Sequence, residues 1–94
     1  MEFEFDPAKD EANRFKHGLR LAFGMGVFGD PFHQVIASFR PIDGESRYKA
    51  VGYIDGKLFT VVYVWRGERV RLISVRRSNG SEQRDYDRDS GGPE

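Results

Sequence analysis

Five arginines stand between Arg66 and Arg77, in a stretch, RGERVRLISVRR, whose other residues read as the inside of a sheet. A guanidinium offers a planar fork that matches the oxygens of phosphate or carboxylate, so the chemistry suggested is anion binding. Total charge conceals it, with 15 basic and 15 acidic residues and a formal net charge of +0. Residues 1–45 hold five bases and eight acids, residues 46–94 ten bases and seven acids, so the halves carry about −3 and +3. With no cysteine, thiolate metal sites and disulfides are excluded, and a metal would need carboxylates from scattered loops beside His17 or His33. No metal and no cofactor is expected. His17 stands in the last turn of a predicted helix, where capping of carbonyls and favourable interaction with the dipole outweigh a catalytic reading.

The elements that must position these cations follow from local pattern. At 94 residues, 38% hydrophobic and 32% charged, the chain reads as one globular domain over residues 1–88 with a disordered tail at 89–94. No signal segment or spanning helix is evident, and a soluble cytoplasmic protein is expected. In FDPAKDEANRFKHG, Asp6 suits an N-cap, Pro7 the first helical position and Gly18 the stop, which predicts a helix over 7–17. Its apolar stripe, Ala8, Ala12, Phe15 and then Leu19, is expected to face the core, with Asp10, Arg14 and His17 opposite. LRLAFGMGVFGDP predicts a short second helix weakened by Gly24 and Gly26. Strands are expected at 34–40, 47–54, 58–65 and 68–77, then a helix near 81–88. Helices before strands indicate an α+β fold with a four-stranded antiparallel sheet, two N-terminal helices and a short C-terminal one.

Asp55-Gly56 and Arg66-Gly67, taken as two-residue hairpin loops, set a register. Tyr48–Tyr63–Val70, Ala50–Val61–Leu72 and Gly52–Phe59–Ser74 then form an apolar face under the N-terminal helices. The opposite face carries Arg47–Val64–Arg69, Lys49–Val62–Arg71, Val51–Thr60–Ile73 and Tyr53–Leu58–Val75. Arg47, Lys49, Arg69 and Arg71 would repel one another unless an anion lay among them. Ile73 and Val75 would await cover from the tail helix. The alternative is a solvated sheet face whose cations pair with acids of the first helix.

DPAKDEANRFKHG, VFGDP, RYKAVGYIDGKLFTVVYVWRGERVRLISVRRS and SEQRDY together resemble the BrnT family of bacterial toxins, from Phe5 to about Tyr86. The most specific parts are Asp6-Pro7 with Asn13 and Lys16-His17-Gly18, and Arg66-Gly67 followed by Arg71 to Arg77. The resemblance implies a RelE-like fold, a ribonuclease that blocks translation and a BrnA-like antitoxin partner. It also implies that operator DNA is bound only through the antitoxin complex, in which a homodimer has a place, and that no membrane is involved. Gly24 and Gly26 stand where Glu and Ala are more usual, and Gln83 where arginine is common.

RNA is cut without a metal when the 2′-hydroxyl loses its proton and attacks the adjacent phosphate, cations hold the extra charge and the leaving oxygen is protonated. Lys49, Arg71, Arg76, Glu82 and Tyr86 are the candidate catalytic residues; Arg47, Arg69 and Arg77 are candidates for RNA binding. Crowded by Arg47 and Arg71, Lys49 would give up its proton readily and serve as base; Glu82 is the other candidate base, and Tyr86 an acid or stacking surface. Tyr48, Tyr63 and Trp65 read as core or antitoxin-facing residues. The alternative to a nuclease is a non-catalytic RNA- or protein-binding module of the same fold, acting within a repressor complex.

Overall fold

The computed structural model describes residues 1–40 and 44–89. The expected turn between the first two predicted strands falls partly outside these residues, as does the predicted tail beyond Asp89. The elements are β1 (Glu2–Phe5), α1 (Pro7–His17), a 3-10 helix (Leu21–Gly29), β2 (Gln34–Arg40), β3 (Glu45–Ile54), β4 (Lys57–Arg66), β5 (Arg69–Arg77) and α2 (Gly80–Asp89). They build one sheet in the order β1-β5-β4-β3-β2, with β1 parallel to β5 and the other pairs antiparallel.

The expected RelE-like arrangement, a four-stranded antiparallel sheet under two N-terminal helices, is therefore corrected to a five-stranded mixed sheet with three helices. The added strand is the segment EFEF, whose alternation of acid and phenylalanine is the period of a half-buried strand. Parallel pairing requires a long crossover, and everything from α1 to β4 lies between β1 and β5. The second helix is 3-10 rather than α. Its Gly24 lies against the sheet so closely that a Cβ there would stand 2.8 Å from Val61 Cγ2. The glycine is thus a packing requirement.

α1 has the expected ends: the Asp6 side chain accepts from Ala8 N at 2.8 Å, and Gly18 stops the helix in the left-handed region. Its orientation departs from the expected one, although Leu19 just beyond it packs on the core and Arg14 faces solvent as expected. Phe15 is 87% exposed and Ala8 and Ala12 are exposed, while Asp10 and Asn13 are buried. Hydrogen bonding explains the departure. β1 ends opposite Leu72, so the backbone of β5 beyond it has no strand neighbour on that side. Asn13 takes the place of one, donating to Val75 O at 3.0 Å and accepting from Val75 N at 3.1 Å, and it also donates to Leu19 O at 2.8 Å. Asp10 accepts from Leu21 N at 2.8 Å and Arg20 at 2.9 Å. Buried backbone groups must be paired, and two polar side chains satisfy them here at the cost of leaving the apolar stripe in water.

The Asp55-Gly56 hairpin is as expected, with φ of 51° and 79°, and the β3–β4 rows hold. The β4–β5 register does not. Arg66 pairs with Arg69, so the loop is Gly67-Glu68 and β5 slides by two residues while keeping its faces. A β-bulge follows: Tyr63 pairs with Leu72 but Val62 with Ser74, leaving Ile73 as the extra residue. Beyond it the faces exchange relative to expectation. Val75 joins the main core with Leu21, Val27, Ala50, Phe59, Val61, Tyr63, Val70 and Leu72, instead of waiting for the tail helix. α2 covers the opposite face over Val51 and Leu58, with Ile36 packed alongside Tyr86.

Candidate active site

The bulge delivers Arg76 opposite Thr60, on the face covered by α2. There the chain turns into α2 through a reciprocal cap: Glu82 N donates to Asn79 Oδ1 and Asn79 N to Glu82 Oε1, each at 2.9 Å. This is the capping-box logic of a polar N-cap followed three residues on by Glu. The box fixes Glu82 over the sheet, where it is 1% exposed.

Glu82 gathers side chains from three strands or their ends. Arg76 makes a two-pronged contact, Nη1 to Oε1 at 2.8 Å and Nη2 to Oε2 at 2.7 Å. Lys49 Nζ reaches Oε2 at 3.2 Å and Thr60 Oγ1 donates to Oε1 at 2.9 Å. Thr60 is also 2.7 Å from Ser78 Oγ. Burial would raise the Glu82 pKa, but hydrogen bonds from Arg76, the Asn79 backbone, Thr60 and Lys49 outweigh it and hold the carboxyl at about 2. The same carboxylate bond raises the Arg76 pKa. A carboxylate so enclosed is poorly suited to take up a proton.

The cations it positions still face solvent, since the Arg76 and Lys49 side chains are each 28% exposed. Of five guanidinium donors, Arg76 uses two on Glu82 and one on Arg77 O, which leaves two; Lys49 uses one of three. With one carboxylate between two cations, the trio carries a net charge of +1. The arrangement can hold a phosphoryl oxygen and deliver a proton.

The other predicted site residues lie elsewhere. Arg69 and Arg71 share the face of Lys49 but not its row: Lys49 lines up with Val62 and Ser74, whereas Arg71 lines up with Val64. Parallel pairing places Glu2 beside Arg69 and Glu4 beside Arg71. Arg71 bonds Glu4 at 2.8 Å; Arg69 contacts Glu2 at 3.1 Å and Glu4 at 3.6 Å. The hydrogen bond from Arg71 is the largest influence lowering the Glu4 pKa. Of the two cations expected to crowd Lys49, Arg71 is thus answered by a β1 carboxylate, and Lys49 itself pairs with Glu82. Arg47 is half-buried two residues before Lys49 on the same face. Arg77 turns to the opposite face, its guanidinium carbon 5.6 Å from the Phe59 ring centroid.

Tyr86 is buried and donates to Asp30 Oδ2 at 2.7 Å, an oxygen that also accepts from Tyr53 N at 2.9 Å. It anchors α2 to the loop before β2. His17 bonds no helix carbonyl among the described residues, where the C-terminal contact is Gly18 N to Arg14 O; it keeps the expected place in the last turn of α1, at the negative end of the dipole. Among the described residues no three His, Asp or Glu side chains stand together as a metal-binding group. Thr60, Asn79 and the β1 carboxylates were not anticipated, although N79-G-S-E82 and EFEF carry the cap and strand signals that point to them.

The family model described as "Ribonuclease toxin, BrnT, of type II toxin-antitoxin system" matches residues 5–82. No curated protein matches the chain. The match runs from the last residue of β1 to Glu82 and takes in Lys49, Thr60 and Arg76, so the side chains joined at the capping box lie inside it. On that span the chain belongs to the BrnT family of ribonuclease toxins from type II toxin–antitoxin systems.

Proposed function

We propose that this chain is an endoribonuclease that needs no metal, works at the patch where Arg76 and Lys49 reach solvent, and blocks translation by cutting RNA. The observation that carries the proposal is the buried Glu82, which fixes a guanidinium and an ammonium side by side and leaves them donors to spare. Arg76 clamps the scissile phosphate and stabilises the charge that builds as the 2′-oxygen attacks. The O2′–P bond forms and the P–O5′ bond breaks; O5′ takes a proton from Lys49, and the 2′-hydroxyl proton passes to water. Glu82 touches neither oxygen and acts through the two cations it orients. Fixed protein cations supply the charge stabilisation that a metal would otherwise provide.

A BrnA-like antitoxin is the proposed neutralising partner, and the complex, rather than this chain alone, is proposed to bind operator DNA. The test is induction of the chain alone and together with its neighbouring gene product, following growth and RNA integrity. Purified chain is then incubated with RNA in excess EDTA. Growth arrest and RNA fragments that persist in EDTA, and that co-expression of the partner abolishes, are expected. Harmless expression with intact RNA would sink the nuclease reading.

A further inference from the structure

A groove of about 320 Å³ opens between α1 and the edge of β5 where β1 has ended, lined among others by Lys9, Lys16, His17, Ser74 and Arg76. Its charged lining is entirely basic. Lys9, Lys16 and His17 have no ion-pair or hydrogen-bond partner among the described residues. The acids of α1 cannot neutralise them, because Asp10 is engaged by Arg20 and Leu21 N, and Glu11 by Arg14. A second cavity, bounded by Glu2, Arg66, Glu68 and Arg69, contains both signs of charge. Unanswered positive charge distinguishes the α1 groove from it.

Lys9 and Lys16 are seven residues apart on one helix face, a separation of about 10 Å along the axis. That is longer than a single phosphate group and suits a run of backbone. The groove also shares a wall with the Glu82 cluster, since Arg76 belongs to both. We infer that this groove seats the phosphodiester backbone of a single-stranded RNA beside the scissile position, with Lys9 and Lys16 as phosphate contacts and His17 as a further donor. The inference rests on the ribonuclease reading for the identity of the strand but not for the binding itself. A positively charged groove that follows the backbone is the usual means of holding single strands without sequence preference.

The probe is a 2′-O-methyl RNA oligonucleotide, which lacks the attacking hydroxyl and so reports binding without cleavage. Its affinity is measured by fluorescence anisotropy over a salt series for the wild-type chain, Lys9→Ala/Lys16→Ala, Lys9→Arg/Lys16→Arg and Lys57→Ala. Each phosphate contact contributes about 0.7 to the slope of log K against log salt for single strands, so the double alanine variant should lose about 1.4. Affinity at low salt should fall at least about tenfold, with the arginine pair and Lys57→Ala near wild type. An unchanged slope in the double alanine variant overturns the inference, and if that variant still cleaves ordinary RNA normally the nuclease reading stands without it. A wild-type chain that cleaves no RNA, yet loses slope on lysine removal, keeps the groove and removes the nuclease reading. Displacement of the probe by a polyglutamate peptide of equal charge as effectively as by RNA would assign the groove to an acidic protein segment and overturn the inference.

Discussion

Replacing Glu82 by Gln keeps the side-chain shape and removes the charge at the point where three elements meet. The carboxyl titrates at about 2 in the folded chain against an ordinary value of 4.5. At about 1.4 kcal/mol per unit, this difference corresponds to on the order of 3 kcal/mol of stability at pH 7. The folded pKa is depressed, so the contribution is fully present above the unfolded value and is lost as pH falls toward the folded one. Linkage leaves most of this contribution at pH 4 and less than half of it at pH 3. For a domain of this size, 1 kcal/mol moves the melting temperature by roughly 4–8 °C. Thermal unfolding of wild type and Glu82→Gln, followed by circular dichroism from pH 7 to pH 3, should show a gap of roughly 12–25 °C at neutral pH that narrows by more than half at pH 3. A gap that stays constant across this range, or one equivalent to less than about 1 kcal/mol at pH 7, would refute the view that Glu82 is an ionised, fully bonded anchor.

Other substitutions test the framework around the site. Asn13→Ala strands the Val75 amide and carbonyl at the β5 edge and should cost about 2–3 kcal/mol in urea unfolding; a cost below 0.5 kcal/mol would show that water replaces the side chain. Gly24→Ala, favourable by helix propensity alone, should instead destabilise by about 1–3 kcal/mol through its contact with Val61; a stabilised variant would contradict that packing. Phe15→Ser removes a large apolar residue from the exposed face of α1 and should change stability by less than about 0.5 kcal/mol; a large loss in the isolated chain would place Phe15 in the core after all.

Local signals were legible where the chemistry is local. Asp6, Pro7 and Gly18 mark the ends of α1, and Asp55-Gly56 marks the β3–β4 hairpin, because each acts on its own backbone within a few residues. What failed depends on distant partners. The stripe Ala8, Ala12, Phe15 has the spacing of a buried face, but the hydrogen-bonding needs of Val75 and Leu21 outweigh it and turn Asn13 and Asp10 inward. Periodicity counts apolar residues and is blind to an unpaired strand edge 62 positions away. The slide at Gly67-Glu68 preserved the faces of Arg69 and Arg71, yet the bulge at Ile73 reversed those of Val75 and Arg76. A one-residue insertion moves every later side chain to the other face, and no residue type in RLISVRR announces it. Arg76, Lys49 and Glu82 were named among the candidates, but their union was not foreseen, because Arg71 was placed where Ser74 stands. The carboxylates that answer Arg69 and Arg71 come from β1, a strand of only four residues at the opposite end of the chain.

Cleavage by Arg76→Ala and Arg71→Ala, measured as single-turnover rates on one RNA under identical conditions, separates the Glu82 cluster from the β1 ion pairs as the seat of catalysis. Loss of one preorganised donor to a developing oxyanion costs on the order of 100- to 1,000-fold in rate, and a fall of that size is expected for Arg76→Ala. Arg71, committed to Glu4, should give less than about a tenfold change when replaced. Near-wild-type cleavage by Arg76→Ala, or an equal collapse in Arg71→Ala, would contradict the placement of the catalytic centre at the Glu82 cluster.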